Sequence, residues 1–425
     1  MPSRPHLRLA ALAALTLFFA LACNLPAYTR LVARTSAPPP TQPAAASGDA
    51  EHQLQIFEAV WAAVRDQYLD PTYGGVDWNA VGEEYRAKIS TGLPADEFAL
   101  AIRDMLGKLP EGDASYQTRA ERLEAESTDA SRYQGIGAFI AFRVEPEPHV
   151  VILAVIEGSP AEKAGLQAHD SIYAIDGEPI RADEAETVAQ RIRGSANTSV
   201  TLTIQSPEGR RRDLTIQRGQ ITAADNVWAA VIPDVQAAYY RIPVVADPDM
   251  ADLIAQNLQE LAATSEPQGL ILDLRVSHSG GAGWPLGPMF TLFGDGALGE
   301  FYTRTTTETV SVTGQNIGGS QTLPLVILIG PDTQGSSEIF AAALQGAKRA
   351  TLVGLPTPGD VEGFGEIPLS DGSRLFLATS AFRTPNGADL AQSGLKPDIA
   401  VVQDWDQFSA DNDPGLAAAV EFLSK

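Results

Sequence analysis

The chain contains a single cysteine, Cys23, among 425 residues. No disulfide can form within it, so packing and hydrogen bonding must hold the fold. Positive charge is scarce as well: 30 Lys and Arg stand against 53 Asp and Glu, a formal net charge of −23. This disfavours a nucleic-acid partner, which needs a basic surface to meet phosphates, and it agrees with a soluble acidic surface. The histidines, His6, His52, His149, His169 and His278, are scattered. None has a neighbour at metal-ligand spacing, and no glycine-rich loop of the phosphate-cradling kind is present. No metal and no cofactor is therefore expected. Long hydrophobic runs are missing too. The apolar stretch from Leu9 to Leu21 is too short for a comfortable membrane span.

That stretch follows Arg4 and Arg8 and ends in small residues before Cys23, the pattern of a secretion signal over residues 1–22. Leu21-Ala22-Cys23 resembles a bacterial lipobox, although Ala20 stands where leucine is usual. The resemblance implies a lipidated Cys23 and a periplasmic or cell-surface lipoprotein. An uncleaved anchor or a plain secretory signal are the alternatives. Residues 23–50, rich in Pro, Ala and Ser, cannot form a core and read as a tether.

Beyond the tether, hydrophobic residues at 44% of the chain suffice for two or three domains. Over residues 51–130, Phe57, Val60, Trp61, Val64 and Tyr68 fall at helical spacing, as do Phe98, Ile102, Met105, Leu106 and Leu109. A third helix is expected near 79–89. Over 131–220 the period becomes that of strands and turns. GIGAF (135–139) is followed by VVILAVIEGSPAEKAGL, where Pro160 suits a first helical turn. Asp176-Gly177 then marks a hairpin between apolar runs. From 221 to 425 helices and strands alternate. GLILDLRV (269–276) and LPLVILIG (323–330) are near-continuous apolar runs, as expected of a sheet buried on both faces. A helix is expected to bury Leu253, Ile254, Leu258 and Leu261, and another to begin near Ser336, with Ser336 as its cap.

The middle stretch resembles a PDZ domain, β-rich with two helices. GIGAF stands in place of the carboxylate-binding loop, so Gly135, Ile136, Gly137 and Phe139 are implied to bind a peptide end added as a strand. His169 departs from the glycine common before Asp170. The order GLILDLRVSHSGG, FYTR, LPLVILIG, SSEIFAAALQGAKRATLVGLPT, FRTPNG and GLKPDIAV, behind a helical segment and a PDZ module, resembles the C-terminal processing, or tail-specific, serine peptidases. The resemblance covers roughly residues 52–403. It implies a multidomain α/β protein with a crotonase- or Clp-protease-like core. It also implies cleavage of chains with exposed apolar C-termini by a serine nucleophile and a lysine base.

The lysine works because burial lowers its pKa until it can take the serine proton. Carried over residue by residue, the nucleophile falls on Gly335, three residues before Glu338. The base falls on Asp360 and the helper glutamine on Phe364. All three are substituted. Gly280 and Gly281 occupy the oxyanion turn, which is one residue longer than usual. Lys348, the nearest lysine, is expected on the turn after the helix. Ser336 and His278 remain as a displaced nucleophile and base.

The leading expectation is a protein that binds polypeptide C-termini or unfolded chains through its PDZ domain with its hydrolytic chemistry lost, as a homo-oligomer or the partner of an active relative. The alternatives are an active serine endopeptidase using Ser336 and an envelope structural protein.

Overall fold

The structure, a computed structural model, describes residues 47–127, 134–185, 187–221, 225–278, 284–390 and 393–425. Cys23, residues 24–46 of the tether, Gly280 and Gly281 lie outside the described residues; residues 47–50, expected as the end of the tether, are instead the first turn of a helix.

The first segment holds α1 (Ser47–Gln67), α2 (Trp78–Ile89), α3 (Ala95–Leu106), β1 (Ala114–Gln117) and α4 (Arg119–Ser127). The helical spacing read from sequence is the buried face: Phe57, Val60, Val64 and Tyr68 pack with Phe98, Ile102, Met105 and Leu106. Asp77 caps α2 by accepting from the amides of Asn79 and Ala80, both at 3.1 Å. This segment is not separate from the core, because its cluster also takes in Leu369, Leu375, Leu377 and Ala378.

Next come β2 (Gln134–Gly135), β3 (Ala138–Arg143), β4 (His149–Val155), α5 (Pro160–Ala164), β5 (Ser171–Ile175), β6 (Glu178–Pro179), α6 (Val188–Ile192), β7 (Ser199–Gln205), β8 (Arg212–Gln217) and β9 (Gly219–Gln220). The sheet order β3-β4-β5-β7-β8, with β6 on β5 across the Asp176-Gly177 turn, leaves β3 as an end strand. Pro160 opens α5, and Ser159 caps it by accepting from the Glu162 amide. The second of the two expected helices is split into a 3₁₀ turn at Ala182–Glu184 and the short α6.

The remainder comprises β10 (Trp228–Ile232), β11 (Ala237–Arg241), α7 (Met250–Thr264), β12 (Gly269–Asp273), α8 (Leu286–Phe293), β13 (Gly296–Thr303), β14 (Thr307–Val312), β15 (Leu325–Ile329), α9 (Ser336–Gly346), β16 (Thr351–Gly354), β17 (Gly363–Pro368), β18 (Arg374–Arg383), β19 (Ile399–Ala400) and α10 (Pro414–Leu423). The central sheet runs β10-β11-β12-β15-β16-β19, parallel except for β10. Alternation sends Leu270, Leu272, Leu325 and Ile327 to a cluster shared with α7, α8 and α9. Ile271, Val326 and Leu328 go to a second cluster against Ala419 of α10. Both faces are covered, which is why these strands read as unbroken apolar runs.

Helix α7 buries Met250, Ala251, Ile254 and Leu258, whereas Leu253 is 51% exposed. The expected stripe is therefore rotated towards Met250, because the sheet lies on that side. A second sheet, β1-β18-β13-β14 with β17 on β18, joins the first segment to the core through the pairing of Ala114 with Leu377.

Candidate functional site

Strands β12, β15 and β16 are parallel neighbours, so their C-terminal ends open on one edge. Sheets of this kind hold ligands at that edge. Three loops meet there. The Gln334 amide donates to the Ser277 carbonyl at 3.2 Å, and His278 forms a β-bridge with Gln334. The Gly335 amide donates to the Asp360 carbonyl at 2.8 Å. Positions 278, 335 and 360, far apart in sequence, are thus brought together. The positions that sequence matching assigned to nucleophile and base are backbone neighbours.

Gly335 has φ 62° and ψ −127° at the turn from β15 into α9. L-residues with side chains rarely adopt this conformation. Gly335 is also the N-cap, so Ser336 is the first residue of the helix rather than its cap, and the capping residue has no side chain to offer. The expectation of Ser336 as cap is corrected here, because the chain turns sharply one residue earlier than its composition suggests. Ser337 is fully buried, and its hydroxyl faces the carbonyls of Ser277 and Gln334.

Glu338 is fully buried, and its Oε1 accepts from the Thr357 hydroxyl and from the Gly359 amide at 2.9 Å. Burial pushes its pKa up to about 7; these bonds oppose the rise and the charge of Asp360 adds to it. Burial also pushes Asp360 up, opposed by the charge of His278. His278 itself is pushed down by burial, while Asp332 and Asp360 draw it back up. The pocket where a neutral amine would be needed is a place of carboxyl groups and one imidazole. Lys348 is exposed beyond the far end of α9, an 11-residue helix, so roughly 15 Å away along its axis at about 1.5 Å per residue. Phe364, at the helper position in β17, is 45% exposed.

At the PDZ module, Gly135 pairs with Gly219, and Ile136 is buried in the domain core. Gly137 has φ 81°, and a Cβ there would lie 2.4 Å from Cβ of Ser159, so the loop must carry glycine. Phe139 does not face the groove. Ala138, Ile140 and Phe142 point to the PDZ core, and Phe139 and Ala141 point the other way, against Val244, Val276, Trp405 and Phe408. Strand alternation separates the two sets, so Phe139 contributes backbone to the end strand and its ring to the interface with the core.

Sequence reasoning missed Arg143 and Asp332. The Arg143 guanidinium reaches from the PDZ domain to Asp332, in the loop just before Gly335, and to Asp404 at 3.4 Å. Arg143 and Asp332 are 189 residues apart, and nothing local marks either. Among the described residues no cluster of His, Cys, Asp and Glu could hold a metal ion.

A core with its site at the ends of parallel strands, a PDZ domain bound across it and a helical segment fused to its second sheet define a peptidase scaffold. Residues 236–401 match peptidase family S41, residues 151–206 a PDZ domain and residues 49–107 the tricorn protease C1 domain. The chain is 30% identical over 384 residues to a carboxyl-terminal-processing protease of Synechocystis sp., covering 88% of this chain and 87% of that one. It is 27% identical over 362 residues to the chloroplastic carboxyl-terminal-processing peptidase 3 of Arabidopsis thaliana, covering 82% and 68%. The solved photosystem II D1 C-terminal processing protease superposes with a TM-score of 0.65 at 25% identity, covering 88% of this chain and 97% of that one. The chain belongs to the carboxyl-terminal-processing protease family. Membership together with the PDZ domain fits binding of polypeptide C-termini.

Proposed function

We propose that this chain binds the C-terminal ends of polypeptides through its PDZ domain and does not cleave them by serine–lysine chemistry. The observation that carries this reading is Gly335. The position matched to the attacking serine is a glycine whose φ of 62° and ψ of −127° suit no other residue well. Asp360 in place of the base supports it, because a carboxyl group surrounded by Glu338 and His278 supplies no neutral amine. The carboxylate of a bound peptide would meet the amides of residues 135–137, and β3 as an end strand offers its edge to the incoming chain.

A second reading, a peptidase using Ser336 with His278 as base, is favoured by one observation: His278 forms a β-bridge with Gln334, two residues before Ser336. Against it, Ser336 is the first residue of α9, one residue past the turn at Gly335 where the attacking hydroxyl is matched. We further propose that Cys23 is lipidated and that the protein is a cell-surface or periplasmic lipoprotein, secreted across the bacterial cytoplasmic membrane. No helix among the described residues is long and apolar enough to cross a membrane. The N-terminal mass of the secreted protein tests the lipid.

The functional test uses two assays on the purified protein. Peptides ending in small apolar residues should bind, and amidating their C-terminus should weaken binding at least tenfold. The same protein should leave an unfolded chain with an apolar tail intact and a fluorophosphonate probe unreacted. Labelling that disappears in Ser336→Ala would establish the second reading instead, and affinity unchanged by amidation would refute the proposed mode of binding.

A further inference from the structure

The PDZ domain meets the core on one apolar patch, where Val151, Leu153 and Ala154 pack on Val244, Val276, Trp405 and Phe408. The segment 404–408 is gripped from the PDZ side at several points. Trp405 donates its indole N–H to the Ile152 carbonyl at 3.1 Å, and its ring stacks on His169 at 4.1 Å between centroids. Asp406 accepts from the Ser171 hydroxyl at 2.8 Å and lies 3.0 Å from Nε2 of His149. From the core side, the Arg275 guanidinium lies 5.1 Å from the Trp405 ring centroid.

His149 stands out among these contacts. Its Nδ1 is 2.7 Å from the Glu147 carbonyl and its Nε2 faces the Asp406 carboxylate. Both partners are acceptors only when Asp406 is ionised, and a neutral imidazole has a single N–H. Both bonds exist together only when the ring carries two protons. His169 is the internal contrast. Its Nδ1 is 2.6 Å from the Trp405 carbonyl, a contact one proton satisfies, and burial holds its pKa down.

We propose that His149 is a proton-operated latch between the PDZ domain and the core, closed while the ring is doubly protonated and released when it loses a proton. The groups around it agree. From 404–408 it faces Asp406, with Asp404 nearby and engaged by Arg143. From β3, the positive charge of Arg143 opposes the imidazolium. From β5, Ser171 shares Asp406, and Tyr173 stacks on the ring at 5.3 Å. Arg211, from the turn between β7 and β8, lies 3.6 Å from the centroid of Tyr173 and pairs with the Glu147 carboxylate. Burial lowers the pKa of His149, but Asp406 and the Glu147 carbonyl outweigh burial and Arg143 and hold it above 6.5. The sign follows. A raised folded pKa means the latch is fully present below 6.5 and is lost as pH rises through the raised value. Asp332, the other end of the Arg143 contact, lies three residues before Gly335, so release would also remove that ion pair from the loop that leads into the site.

The test measures the distance between the two bodies. In the full chain carrying Cys23→Ser, spin labels at Gln217→Cys in the PDZ domain and Asp252→Cys in α7 report it by pulsed electron resonance. One distance population is expected at pH 6, with a second growing towards pH 9 about a midpoint above 6.5. His149→Gln should abolish the pH response. Asp406→Asn, which keeps the ring but removes the facing charge, should move the midpoint down. A parent distribution identical at pH 6 and pH 9, a pH response that persists in His149→Gln, or a midpoint unmoved by Asp406→Asn would each overturn the latch.

Discussion

Placing a side chain at residue 335 should cost stability even though that position is the one matched to the family's serine. Gly335 has φ 62° and ψ −127°, and its amide is tied to the Asp360 carbonyl at 2.8 Å, so the turn cannot relax without breaking that bond. A non-glycine residue held in so sparsely populated a region costs about 1–3 kcal/mol. Removing glycine from the unfolded chain returns about 0.4–1 kcal/mol. Gly335→Ser should therefore destabilise by about 1–2 kcal/mol net, which at about 2–4 °C per kcal/mol for a chain of a few hundred residues lowers Tm by about 2–8 °C. Thermal unfolding followed by circular dichroism reads this directly. Gly335→Ser should also stay unreactive towards a fluorophosphonate, since Asp360 gives it no base. Adding Asp360→Lys should bring the first detectable labelling, with Phe364 at the helper position keeping turnover low. An unchanged or raised Tm in Gly335→Ser would refute the argument from backbone strain, and labelling of the single variant would refute the argument from the missing base.

Three further outcomes are expected. Glu338 is held near pKa 7 against an ordinary 4.5, so the folded state binds its proton more tightly and stability falls as pH rises from 4.5 to 7; Glu338→Gln should flatten that fall, the two proteins diverging by up to about 3 kcal/mol at about 1.36 kcal/mol per unit in urea titrations at the two pH values. Arg275→Ala should cost about 3–5 kcal/mol, because it strands Asp273, 1% exposed, and cuts the bidentate link to Asp413 at the start of α10; a loss under about 1 kcal/mol by the same titrations would contradict a buried ion-pair network. Gly137→Ala should weaken C-terminal peptide binding at least tenfold, since its Cβ would fall 2.4 Å from Cβ of Ser159; isothermal titration with one peptide on both proteins checks it, and equal affinities would mean that the loop is not the binding element.

The helices of the first segment, the PDZ module and the buried parallel strands were legible because their signals are local. A helical face repeats within a few residues, Asp176-Gly177 closes a hairpin by itself, and a strand covered on both faces has to be apolar throughout. The proposal that residues 335, 360 and 364 stand at the nucleophile, base and helper positions rests on counting along the chain, which requires no knowledge of how it folds. The tertiary structure decided the rest. It rotated the buried stripe of α7 away from Leu253, turned the Phe139 ring from the groove to the core, and drew β1 into the sheet of β18. It put Ser336 inside α9, one residue past the turn. It joined His149 to Asp406 across 257 positions and Arg143 to Asp332 across 189. A residue's own neighbours state that it is apolar or charged. Which body its side chain meets depends on a partner that only the folded chain brings near.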